Sequence, residues 1–302
     1  MSANASVQTS LPDKIMPKTF DRTTEDVGNI IHLEHVNLCI PDQVVATQFY
    51  VSALGLTRDP YLMTGTDNMW INAGRTQFHL PIGQPQKFRG TISIVMPDRA
   101  ALLARLARMK PLLSSTQFAF AEKDDHVAVT GPWGNNFRIY EPDPETFGMV
   151  ELGIVQLEFN VPVGTADAIE RFYAEIFEAP SHVHRKAGEP TVAHVSVGDA
   201  QSFAFVETSA PLAPYDGHHI QVYIADFSEP HRRLQAVGLV SEESSQHQFR
   251  FVDIADLEQG KTVFQVEHEI RSMTHPLYNR PLVNRNPAQT NNNYRRGHDA
   301  FR

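Results

Sequence analysis

The 302-residue chain has a single cysteine, Cys39. That excludes an internal disulfide and any zinc site built from several cysteines. Its apolar runs fall well short of the roughly 18 residues that mark a membrane-spanning helix. The first twenty residues lack the apolar stretch of a secretory signal, so the chain is expected in the cytoplasm, with no membrane partner. The sequence has no GxSxG motif, phosphate-binding glycine loop or dinucleotide fingerprint. Cys39 sits in an alternating, strand-like run with no base motif beside it, so nucleophilic catalysis has little support. Positive charge is also scarce, except at the end. The segment 271–302 carries six arginines against one acid, Asp299, and so has a net charge of +5. With −9 for the whole chain, the remainder stands at −14. An acidic body argues against nucleic acid as the partner. The basic end could dock on that body, dock on a second copy in a homo-oligomer, or stay solvated.

What is present is ordinary globular material, 41% hydrophobic and 20% charged, which rules out a mostly disordered chain. The length suggests two domains. Four segments open with a short alternating strand that ends in Pro or Asp: LEHVNLCIPD (33–42), RGTISIVMPD (89–98), GIVQLEFNVP (153–162) and GHHIQVYIAD (217–226). Superposed, they place His35, Thr91, Gln156 and His219 at one equivalent position, at offsets of 56, 65 and 63 residues. A helix-like stretch and three further strand-like pieces follow each opening strand. The chain therefore reads as four β-α-β-β-β units.

Successive strand residues face opposite sides. One face collects Val36, Leu38 and Ile40, Ile92 and Ile94, Leu157 and Phe159, and Ile220, Val222 and Ile224. That face must pack under helices. The other collects His35 and Asn37, Thr91 and Ser93, Gln156, Glu158 and Asn160, and His219, Gln221 and Tyr223. Buried polar groups need partners, so this face is expected to line water, a ligand or a metal. The closing strands agree: Gln77 and His79 share a face, as do Arg138 and Tyr140, and Gln265, Glu267 and Glu269. Trp70 and Trp133 are read as packing residues.

The four units, the FYVSALGL helix and the GPWGNNFRIYEP closing strand resemble the vicinal oxygen chelate superfamily. That group includes glyoxalases, fosfomycin and bleomycin resistance proteins, methylmalonyl-CoA epimerases and extradiol dioxygenases. The resemblance covers roughly 31–270. It implies an α+β fold of four βαβββ modules paired into two similar domains with concave mixed sheets. The expected boundaries are an N-terminal arm (1–30), a first domain (31–147), a second domain (151–270) and a basic extension (271–302). It also implies ligands from the opening and closing strands of paired units.

On that basis the first pair offers His35 and His79, but Thr91 and Arg138 depart from the usual histidine and glutamate. A guanidinium is no metal ligand. His35, His79, Arg138, Tyr140 and Tyr223 are therefore expected to bind substrate, with Asn37 nearby and Arg138 gripping a carboxylate. The second pair offers Gln156, His219 and Glu267 for a divalent Fe, Mn, Ni or Zn ion, although the motif read strictly selects Gln265. Glu267 would hold the metal or move a proton. The segment 268–287 is read as a strap over the surface, with a lid carrying Arg271 or His275 as the alternative. The implied function is a metal-dependent lyase or isomerase that chelates neighbouring oxygens of a small substrate. A ring-cleaving extradiol dioxygenase is the alternative, weakened by Gln156 in place of a histidine and by Arg250 or Phe251 in place of a tyrosine. A non-catalytic binding protein of the same fold is the third reading.

Overall fold

The computed structural model describes residues 20–59 and 67–280. Most of the N-terminal arm (1–19) and the arginines at 285, 295, 296 and 302 lie outside the described residues. The first unit runs through β1 (Ile30–Asn37), α1 (Gln43–Ala46, continuing as a wider-wound helix over Thr47–Ala53), β2 (Thr57–Arg58), β3 (Asn68–Ala73) and β4 (Thr76–Pro81). The second contains β5 (Gly90–Val95), α2 (Arg99–Met109), β6 (Ala119–Glu122), β7 (Val127–Thr130) and β8 (Asn136–Tyr140). After a short α3 (Pro144–Phe147), the third contains β9 (Gly153–Pro162), α4 (Ala166–Phe177), β10 (Ser181–His184), β11 (Val192–Gly198) and β12 (Gln201–Thr208). The fourth contains β13 (His219–Ile224), α5 (Ser228–Ala236), β14 (Val240–Ser245), β15 (Gln248–Asp256) and β16 (Lys261–Ser272). Among the described residues, no helix is long and apolar enough to cross a membrane.

In every unit the opening strand pairs in parallel with its own closing strand. Units then join through antiparallel opening strands. The sheets do not pair the first unit with the second and the third with the fourth, as the ligand sets above assumed. The order β14-β15-β16-β13-β1-β4-β3-β2 joins the first unit to the fourth. The order β10-β11-β12-β9-β5-β8-β7-β6 joins the second to the third.

The first and second units, and likewise the third and fourth, meet instead through their helices. Phe49 and Tyr50, on the helix of the first unit, are buried against Phe137 of the second. Phe172 and Phe177 of α4 pack on Phe251 of the fourth unit. The apolar strand faces, with Val36, Ile92, Leu157 and Ile220, belong to this one continuous core. Burying such aromatic and branched side chains drives the assembly at about 25 cal/mol per Å² of apolar surface. Caps fix the helix starts: the Asp42 side chain accepts from Val44 and Val45 N–H, and Asp98 accepts from Ala101 N–H. Gly90 is required where β5 crosses β9, because a Cβ there would lie 1.7 Å from the Glu158 carbonyl oxygen. The helices thus cover one face of each sheet and leave the polar face to form a concave cup.

Candidate metal centre

In the first sheet the strand registers lay the polar side chains out in two rows. One row runs His79, Asn37, His219, Glu267 across β4, β1, β13 and β16. The next runs Gln77, His35, Gln221, Glu269, with Arg250 of β15 opposite Glu269. A register shift between Leu33 and His35 bulges β1. A bulge re-aims side chains, and here Glu34 joins His35 on the polar side.

Three imidazoles converge there. His35, His79 and His219 can each present a ligand nitrogen with all three within 4.8 Å of one another. The Nε2 atoms of all three are buried and lack a hydrogen-bond partner among the described residues. Their surroundings orient the rings. His35 donates from Nδ1 to Glu34 at 3.1 Å, which leaves Nε2 as the lone-pair nitrogen. His79 stacks on Trp70 at 3.9 Å between centroids, and its Nδ1 meets the Asn37 side-chain amide at 2.6 Å. With the amide nitrogen of Asn37 facing His79, the ring proton sits on Nε2. Rotating the Asn37 amide by about 180° turns its oxygen to Nδ1, moves the ring proton there and frees Nε2 to ligate a metal. His219 lies between two carboxylates, with Nδ1 3.7 Å from Glu267 and Nε2 3.6 Å from Glu269. Carboxylates and amides behind imidazole ligands are a recurrent way of fixing their orientation.

Burial holds all three histidines below the ordinary imidazole range, and the Arg271 and Arg250 charges push the same way. The rings are therefore neutral at pH 7, the form that a metal requires. Those arginines also balance the carboxylates. Arg250 bonds Glu267 at 3.0 Å and pairs with Glu269. Arg271 bonds Glu34 at 3.2 Å and Glu269 at 2.5 Å. Gln221 is fully buried, and neither end of its amide has a partner among the described residues.

The arrangement corrects several expectations. Gln156 does not join His219 and Glu267, because β9 belongs to the second sheet; its amide donates to Ser202 at 3.1 Å. Arg138 and Tyr140 are also in the second sheet, so neither shares a pocket with His35 and His79. Arg138 grips Glu158, at 2.6 and 3.3 Å, rather than standing as a free anion clamp. His35 and His79 sit with His219 rather than in a separate cup. Tyr223 is in the first cup, but its hydroxyl donates to Glu34 at 3.2 Å. Gln265 bonds Asp253 instead of reaching the imidazoles.

The segment after β16 is strapped over the cup: Tyr278 packs on Tyr223, and Arg280 reaches the buried Asp59 at 2.7 Å. Arg271 enters the site itself. Sequence reasoning missed Glu34, Gln221 and Arg250 as parts of this centre. Alternation already put Gln221 on the face of His219, and that was the available signal.

Two solved structures share this architecture. Glyoxalase I from Zea mays is 11% identical with a TM-score of 0.58, over 80% of this chain and 92% of that one. A candidate dioxygenase from Bacillus subtilis is 15% identical with a TM-score of 0.54, over 83% of this chain and 87% of that one. No family model and no curated protein matches the sequence. Four βαβββ units in two eight-stranded mixed sheets, with these structural neighbours, give the chain the fold of the vicinal oxygen chelate superfamily.

Proposed function

We propose that the chain is a metal-dependent enzyme of the glyoxalase-like type, a lyase or isomerase acting on a small molecule with two neighbouring oxygens. The observation that carries this reading is the trio of neutral imidazoles whose buried Nε2 atoms have no hydrogen-bond partner among the described residues. His35, His79 and His219 would hold a divalent ion, and imidazole sets suit Fe, Ni or Zn. When bound, such an ion polarises the substrate's oxygens and lowers the cost of developing negative charge.

The remaining work falls to side chains. Glu267 is the base that removes a proton from the carbon beside the polarised carbonyl and returns it to the neighbouring atom. Glu269 is the poorer choice. Its side chain is 3% exposed and held by two arginines, whereas that of Glu267 is 21% exposed and meets Arg250 alone of the two. Gln221 orients the substrate with its unpaired amide. The lyase reading is favoured over ring cleavage because three imidazoles converge here, not two imidazoles and a carboxylate. Metal analysis after purification and after reconstitution tests the proposal. About one first-row ion per chain, as for a site with three protein ligands, supports it. A chain that holds none and gains none is a binding protein instead.

A further inference from the structure

The second cup has different contents. Its concave face encloses a cavity of about 700 Å³, within the range of about 300–1,000 Å³ typical of small-molecule sites. Among the described residues, its lining contains no Asp, Glu, Lys or Arg. The one guanidinium on this part of the sheet, Arg138, is matched by Glu158. Nor is this a second metal centre: the imidazoles here are the pair His182 and His194, and the one group of three or more candidate ligands among the described residues is in the other sheet.

The lining is rich in hydroxyls instead. Ser93 is the most informative of them. It is 2% exposed, it faces the cavity, and its Oγ has no hydrogen-bond partner among the described residues. A buried hydroxyl without a partner is costly, and Ser93 belongs to the lining of the cavity. Gln156 lies directly across the β5–β9 pairing from Ser93 and donates to Ser202, leaving its oxygen as an acceptor. Ser196 and Tyr140 also line the space. Flat walls complete it: His182 and His194 stack at 5.0 Å, and Tyr140 leans on Phe147 at 5.2 Å. Burial and the two neighbouring histidines His182 and His184 lower the His194 pKa, which favours a neutral ring.

We propose that the second cup is a separate binding site for an uncharged, multiply hydroxylated ring compound. Ser93, Gln156 and Ser202 take the hydroxyls, and the ring walls take the flat face. A saccharide and a polyphenol share this chemistry, and the test separates them.

Maltose and catechin are titrated calorimetrically into the full chain, with glucose 6-phosphate as a charged control. One neutral probe should bind with a Kd of roughly 10 μM to 1 mM, the weak range on the affinity scale. Maltose binding would identify a saccharide site, and catechin binding a polyphenol site. Ser93→Ala and Gln156→Ala should each weaken binding about tenfold or more, while His219→Ala, in the other sheet, leaves it unchanged. Ser93→Ala leaves no protein group unpaired, so its fold should survive, and circular dichroism checks this. The proposal is overturned by no binding of either neutral probe at about 5 mM, by binding that ignores both substitutions or disappears in His219→Ala, or by tighter binding of the phosphate.

Discussion

The two concave faces have the same strand plan and different chemistry. The first gathers three histidines, three glutamates and two arginines into a buried, nearly charge-balanced network around unpaired imidazole nitrogens. The second carries Thr91 and Gln156 where the first has His35 and His219, and it is lined with hydroxyls. One substitution per equivalent position thus separates a cup that can hold a cation from one that can hold a neutral polar molecule. The difference also shows how little of a site's chemistry the fold decides.

The largest effect should come from breaking the first face. His219→Ala removes one of three ligands and should reduce turnover by about a thousandfold or more, since holding the ion with an open position needs about three protein ligands. Steady-state kinetics with a two-oxygen substrate, once one is found, would read this. Ser202→Ala, on the second face, should leave turnover unchanged.

Stability should separate the faces next. Glu269→Gln removes the carboxylate that Arg250 and Arg271 share and leaves them Glu267 and Glu34, so the loss should be about 3 kcal/mol, the low end for breaking a buried ion pair. Arg138→Met breaks a pair whose side chains are 34% and 18% exposed, and solvent screening should hold that cost to about 1 kcal/mol. Denaturant melts of the two variants compare them, and equal losses would contradict the contrast.

Acid sensitivity comes third. Between the sheets, burial lowers the His268 pKa to about 3, and the ring accepts from the Tyr173 hydroxyl at 2.7 Å while donating to the Val266 carbonyl. A lowered folded pKa means that the unfolded chain binds the proton first. Stability is therefore intact above the ordinary imidazole value of about 6.5 and falls as pH drops from there toward 3. The slope for this one group is about 1.4 kcal/mol per pH unit. The double variant His268→Phe, Tyr173→Phe should show a shallower decline across that window.

The smallest effect should be Ser93→Ala, within about 0.5 kcal/mol of the parent in the same melts. It deletes a hydroxyl that has no partner among the described residues. A large loss there would reveal a bond that the structure does not contain.

Alternation made the faces legible. His35 and His219 lie on the polar side and Val36 and Ile220 in the core, as period-two patterning requires. The pairing of units was not legible. Hydrophobic period says which side a residue faces, but not which strand lies beside it. The decisive contact, β1 against β13, joins residues such as Asn37 and His219 that are far apart in sequence, and it includes a bulge. Once the first unit pairs with the fourth, His79 and His219 face one centre and Gln156 is carried to the other. The choice between Gln265 and Glu267 turned on two residues of register, which β13 resolves by setting His219 beside Glu267.

The central claim is that the ion-binding centre combines the first and fourth units. Metal content of His79→Ala and Gln156→Ala, purified side by side and reconstituted with the same ion, tests it most directly. The account predicts that His79→Ala loses most of its metal and Gln156→Ala keeps the parent's content. Metal retained in His79→Ala and lost in Gln156→Ala would contradict it.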